Sequence, residues 1–126
     1  MIFYNSYLFG AILSLGIVQL PTTGWQNTAI VTATAYNSVP GQTDSTPDIA
    51  AWGDRLKPGM KAIAVSRDLL AKGLGHNAKV KIDGFNGTYV VLDKMNKRWK
   101  NKIDIYMGKD KKAALKWGRH KVKISW

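Results

Sequence analysis

The first regular pattern along the chain begins at Thr28. Residues 28–36 read TAIVTATAY, rich in β-branched side chains and alternating as a half-buried strand does. A polar stretch of turn-forming residues, 37–59, follows before a short strand at 61–65. A loop of that length in a small domain is usually functional. Residues 79–82 alternate with Val80 and Ile82 facing inward, and 88–92 form a β-rich run after the turn Gly84-Phe85-Asn86-Gly87. Residues 102–107 place Ile103 and Ile105 on one face and Asp104 and Tyr106 on the other. The last strand, 120–126, buries Val122 and Ile124 and turns Lys121 and Lys123 outward.

Two short helices interrupt the strands. One covers 66–73, with Ser66 as N-cap, Asp68 in the first turn and Gly73 closing the end. The other lies near 109–117 and stops at Gly118. Six or so short strands with two small helices predict a mainly β fold that closes into a barrel.

Ahead of the barrel runs an uncharged apolar stretch, YLFGAILSLGIVQL at 7–20, ended by Pro21. With 1–6 it approaches the roughly 20 residues of a membrane span. A secretory signal fits its length equally well, and Thr22-Thr23-Gly24 offers small residues for cleavage. The expectation is an N-terminal apolar helix over 1–24, serving as signal or membrane anchor, and one domain over 25–126. A buried core helix is the alternative.

Charge changes the picture next. Nineteen Lys and Arg against eight acidic residues, all Asp, give a net charge of +11. The basic residues begin only at Arg55 and are densest over 94–123. Such a surface attracts polyanions: nucleic acid, an anionic membrane or an anionic cell wall. It also serves solubility alone. With no cysteine, disulfides and thiolate metal sites are excluded. His76 and His120, far apart in sequence, support a histidine metal site poorly, and no metal or organic cofactor is expected.

Two aspartates occupy awkward positions. Asp93 ends the apolar strand YVVLD and Asp104 interrupts KIDIY, although Asp is a poor strand former. The basic linker KMNKRWKNK joins them, so a barrel would bring both carboxylates to one end, near Trp99. A carboxyl near apolar surface or a second carboxylate holds its proton to higher pH, and nearby lysines oppose this. Ordinary ion pairs or turn caps would account for the same two residues.

The ordered set VTATAY, IAVSRDLL, AKVKIDG, GTYVVLDKMN, KIDIYMG and AALKWGRHKVKI resembles the three-aspartate (3D) domain, related to membrane-bound lytic transglycosylase A and rare lipoprotein A. The pieces cover most of 28–126. The resemblance implies a six-stranded double-psi β-barrel, with one or two short helices, whose groove carries the aspartates. It implies cleavage of peptidoglycan glycan strands of the lytic transglycosylase type. Asp93 matches the catalytic acid/base and Asp104 the aspartate of the Ile-Asp-Ile motif. Asp68 is the candidate for the third carboxylate, because Ser66 stands where the family often has aspartate. Lys94-Met95-Asn96 replaces a glycine pair common in the family.

On that reading Tyr36, Trp52 and Trp99 offer flat faces to sugar rings, core packing being the alternative for each. Asp48 and Asp54 bind sugar hydroxyls, while Lys97, Arg98, Lys100 and Lys102 meet wall carboxylates. The expected location is the cell envelope or periplasm, with membrane attachment through the apolar segment, or a bacteriophage particle. Two competing functions are a non-catalytic glycan-binding barrel and a basic nucleic-acid-binding module. The second has no recognised motif behind it.

Overall fold

The computed structural model describes residues 24–38 and 48–126. The expected N-terminal helix therefore lies outside the described residues, apart from Gly24. Among the described residues no helix is long and apolar enough to cross a membrane.

Six strands and two short helices follow one another in the expected order. They are β1 (Thr28–Tyr36), β2 (Ala62–Val65), α1 (Arg67–Leu70), β3 (Lys79–Ile82), β4 (Tyr89–Lys94), β5 (Lys102–Tyr106), α2 (Lys111–Trp117) and β6 (His120–Ser125). The strands close into a barrel in the order β1-β5-β2-β4-β3-β6. β1 runs parallel to β5 and β2 parallel to β4, and the other four pairings are antiparallel. This mixed, crossed connectivity is compatible with a double-psi barrel. Closure leaves no sheet edge open to pairing.

Alternation explains the interior. The barrel is filled by Val31 and Ala33 from β1, Ile63 and Val65 from β2, Val80 and Ile82 from β3, Val91 from β4, Ile103 and Ile105 from β5, and Ile124 from β6. Nearly all are β-branched, which suits a pleated wall packed on one side. Leu69 of α1 and Leu74 join the same cluster. Ile103 is fully buried immediately before Asp104, so it fixes the strand on which the acid stands. Ile103→Ala is expected to cost about 2–5 kcal/mol, read as a lower urea midpoint with an unchanged slope.

A second apolar cluster lies on the barrel's outer face. Ala62, Leu92 and Tyr106 meet Ala50 and Leu56, with Tyr36, Met60 and Val90 around them. The second half of the long polar stretch is therefore ordered against the wall. It turns on itself through an Ile49–Arg55 bridge and a Gly53 at φ 92°, a value that favours glycine.

The helices differ in their caps. Asp110 caps α2 by accepting from the Ala113 N–H at 2.9 Å, and Gly118 ends it at φ 74°. Ser66 stands at the N-cap of α1 but makes no capping bond there. Its Oγ accepts instead from the Lys102 N–H at 2.9 Å, while its own N–H donates to the Lys102 carbonyl at 2.8 Å. The expected cap is thus a clasp between the end of β2 and the start of β5.

Candidate active site

Register decides which side chains share the outer face. Ala64 of β2 pairs with Asp93 of β4 on one side and with Asp104 of β5 on the other. Asp104 in turn pairs with Thr34 of β1. One row across four strands therefore reads Thr34, Asp104, Ala64, Asp93. Two strand spacings put the aspartate backbones about 10 Å apart. The smallest chiral side chain stands between them and leaves the space open.

A β-bulge sets Asp93 in that row. Ile63 pairs with Val91, but the next residue, Ala64, pairs with Asp93, so β4 carries one extra residue at Leu92. Uninterrupted pairing would put Leu92 opposite Ala64 and turn Asp93 into the barrel with Val91. Leu92 keeps its place in the outer cluster, and because of the bulge Asp93 faces outward as well. Bulges next to sites commonly re-aim a side chain in this way, and they are rare in parallel pairs.

Around the row lies an open pocket of about 220 Å³, lined by Tyr36, Ala64, Asp93, Lys94, Met95, Asn96, Trp99 and Asp104. Its lower rim is the β4–β5 connection. The Met95 N–H donates to the Val65 carbonyl at 2.9 Å, and Arg67 Nε donates to the Met95 carbonyl at 3.0 Å. The Arg98 N–H donates to Asn96 Oδ1 at 3.0 Å and the Trp99 N–H to the Asn96 carbonyl at 3.0 Å, a turn that presents Trp99. The upper rim is the 48–56 segment, whose Ala51 N–H donates to Asp93 Oδ1 at 2.8 Å. The Lys94 N–H donates to the same oxygen at 2.9 Å.

Asp104 is the carboxyl that its surroundings raise. Burial pushes it up most. The Thr34 Oγ1 hydroxyl, donating to Asp104 Oδ1 at 2.9 Å, and the charge of Lys102 hold it back, while the charge of Asp93 adds to the rise. The result is a pKa of about 6. Lys102 is itself 7% exposed, with Nζ 3.8 Å from the centre of the Trp99 ring. Asp93, which the family resemblance offers as the acid/base, contributes the like charge in that balance.

The structure brings together some of the expected site residues and disperses others. Asp93, Asp104, Tyr36 and Trp99 share the pocket. Arg98 stacks on Trp99 with its guanidinium 4.8 Å from the ring centre, and Lys97 and Lys100 are exposed on the same connection. Trp52 stacks on His76 with ring centres 4.7 Å apart, and Lys94 Nζ lies 5.4 Å from the Trp52 ring. Trp52 therefore borders the pocket through Lys94. Asp48 is paired with Arg55, and Asp54 with His76. Both pairs hold the upper rim in shape.

Asp68 does not line the pocket. Its Oδ2 accepts from the Asn101 N–H at 2.9 Å. Partial burial raises its carboxyl, but hydrogen bonds from Ser66 and the Asn101 N–H outweigh this and hold it below the ordinary value. Asn101, at φ 49°, also donates its side-chain amide to the Ile30 carbonyl at 3.0 Å. Asp68 thus fastens α1 to the connection that carries Trp99.

Thr34, Ala64, Lys94, Met95 and Asn96 are the site residues that the sequence did not single out. Thr34 had a legible signal, the outward slot two residues before Tyr36 in TATAY. Compared with protein-family models and with curated proteins, the chain matches none.

Proposed function

We propose that the domain is a double-psi barrel of the three-aspartate kind, exported to the cell envelope, which cleaves peptidoglycan glycan strands as a lytic transglycosylase does. The observation that carries this reading is the row Asp104–Ala64–Asp93 on the floor of an open pocket. A glycosidase-like reaction needs one carboxylic acid and one carboxylate on either side of a sugar. The raised Asp104 supplies the acid and Asp93 the carboxylate.

The roles follow from these environments. Asp104, protonated, donates to the leaving glycosidic oxygen. Asp93 faces the positive charge that develops at the anomeric carbon. Asp104, now a base, accepts the proton of the muramyl C6 hydroxyl as that oxygen attacks C1. The glycosidic bond breaks, the C1–O6 bond forms, and the proton lost by Asp104 is regained, so no water is consumed. Trp99 offers an apolar face at the rim, and Arg98, Lys97 and Lys94 meet the carboxylates of the wall.

The test is product analysis. The full chain is incubated with purified glycan strands and the ends are read by mass spectrometry. The reading expects 1,6-anhydro termini, whereas reducing ends would indicate attack by water. Intact glycan that nevertheless binds would make the domain a recognition barrel. Activity should also track the acid form of Asp104. With a pKa of about 6, kcat/KM is expected to fall about tenfold per pH unit above that value. A rate flat from pH 6 to 8 would remove Asp104 as the acid.

A further inference from the structure

We propose that the outer face of α2 is a docking surface for an anionic phospholipid bilayer, with Leu115 entering the headgroup layer and the surrounding lysines meeting phosphates. The inference stands apart from glycan cleavage in the pocket. Two large apolar side chains stay exposed among the described residues, Ile30 and Leu115, and Leu115 is the more open at 81%. The other side of the helix is already used. Ala113, Ala114 and Trp117 are half-buried, and Trp117 packs against the barrel's core cluster and edge-on against Phe85. Leu115 therefore points away from the barrel. Lys111 and Lys112 stand one turn before it and Lys116 beside it, all exposed.

Charge selects the partner. Every Lys and Arg from 109 to 123 is exposed, and none makes an ion pair among the described residues. Asp110 is the one acid in that stretch, and its carboxylate is occupied as the cap of α2. Lys111 and Lys112 occupy the first turn, where a cation opposes the helix dipole. They weaken the helix slightly, so its own stability does not account for them. A dissolved polyanion needs cations alone, and the leucine among them would gain nothing from it. A bilayer offers phosphates above an apolar layer, which matches an apolar side chain ringed by long lysines.

The chain has no cysteine, so Lys116→Cys in the full chain places one environment-sensitive fluorophore beside Leu115. The probes are vesicles of equal parts phosphatidylglycerol and phosphatidylcholine, and vesicles of phosphatidylcholine alone. On the anionic vesicles the label is expected to shift to the blue and become shielded from dithionite, and to revert in about 1 M salt. The same label on exposed Ala71, at the end of α1, should not respond. Leu115→Ser is expected to raise the lipid needed for half the shift about tenfold through lost apolar burial. The pair Lys111→Gln and Lys112→Gln is expected to raise it by at least as much through lost charge, with the thermal midpoint unchanged. No shift on anionic vesicles, or an equal shift on both kinds, overturns the inference. A shift unaffected by Leu115→Ser and abolished by competing polyphosphate would make this face a site for soluble polyanions, and the bilayer assignment would fall.

Discussion

Asp104→Asn is expected to abolish glycan cleavage and, at neutral pH, to make the protein more stable. The amide cannot donate the proton that the leaving oxygen requires, and losing a general acid costs about 10²–10⁴ in rate. The stability gain has a separate origin. The rise of Asp104 from 3.8 to about 6 means that the folded state penalises the ionised carboxylate by about 3 kcal/mol. Below pH 3.8 the carboxyl is protonated in both states and the penalty is absent. Between 3.8 and about 6 the folded chain keeps a proton that the unfolded chain has released, so stability falls as pH rises through that window. Above it the full penalty applies. An amide oxygen still accepts from Thr34 and carries no charge, so urea denaturation should show a gain of about 1–3 kcal/mol at pH 7 that disappears near pH 3.5. A variant that is inactive and equally destabilised at both pH values would point to damaged packing instead.

Asp93→Asn is expected to lose about 10²–10³ in rate through the missing electrostatic stabilisation, and to move the pH profile. Asp93 raises the Asp104 carboxyl through charge alone, so neutralising it lets Asp104 ionise earlier. The falling limb of whatever activity remains should shift to lower pH. An amide at this position keeps an oxygen for the Ala51 and Lys94 N–H groups, so the rim stays in place. An unmoved limb with lost activity would mean that Asp93 acts without electrostatic contact with Asp104.

Much of the barrel was readable from alternation. Residues 28–36 and 79–82 match β1 and β3 at both ends, and 102–107 differs from β5 by one residue. These segments have one face against the interior, and the period-two pattern records that burial directly. The run 88–92 was harder. β4 continues through Asp93 to Lys94 because the extra residue at Leu92 breaks the alternation where the polar positions begin. A bulge depends on the partner strand, so no local pattern announces it.

The same limit applies to the site. Asp93 and Asp104 stood out because aspartate is costly in a strand, and both reach the pocket. Which of them holds a proton depends on burial, Thr34 and Lys102, none of which two strand sequences can rank. Asp68 and Ser66 read as ordinary helix-start residues, yet both reach across to the start of β5. A sequence does not reveal Arg55 and His76 as the partners of Asp48 and Asp54.

The proposed chemistry depends on one ionisation. Carbon-detected NMR of the Asp104 side-chain carboxyl, followed from pH 3 to 8 in the full chain, measures it without substrate. A midpoint near 6 that falls in Asp93→Asn is the predicted result. A midpoint near the ordinary 3.8, unmoved by that substitution, would contradict a proton held at neutral pH and with it the proposed chemistry.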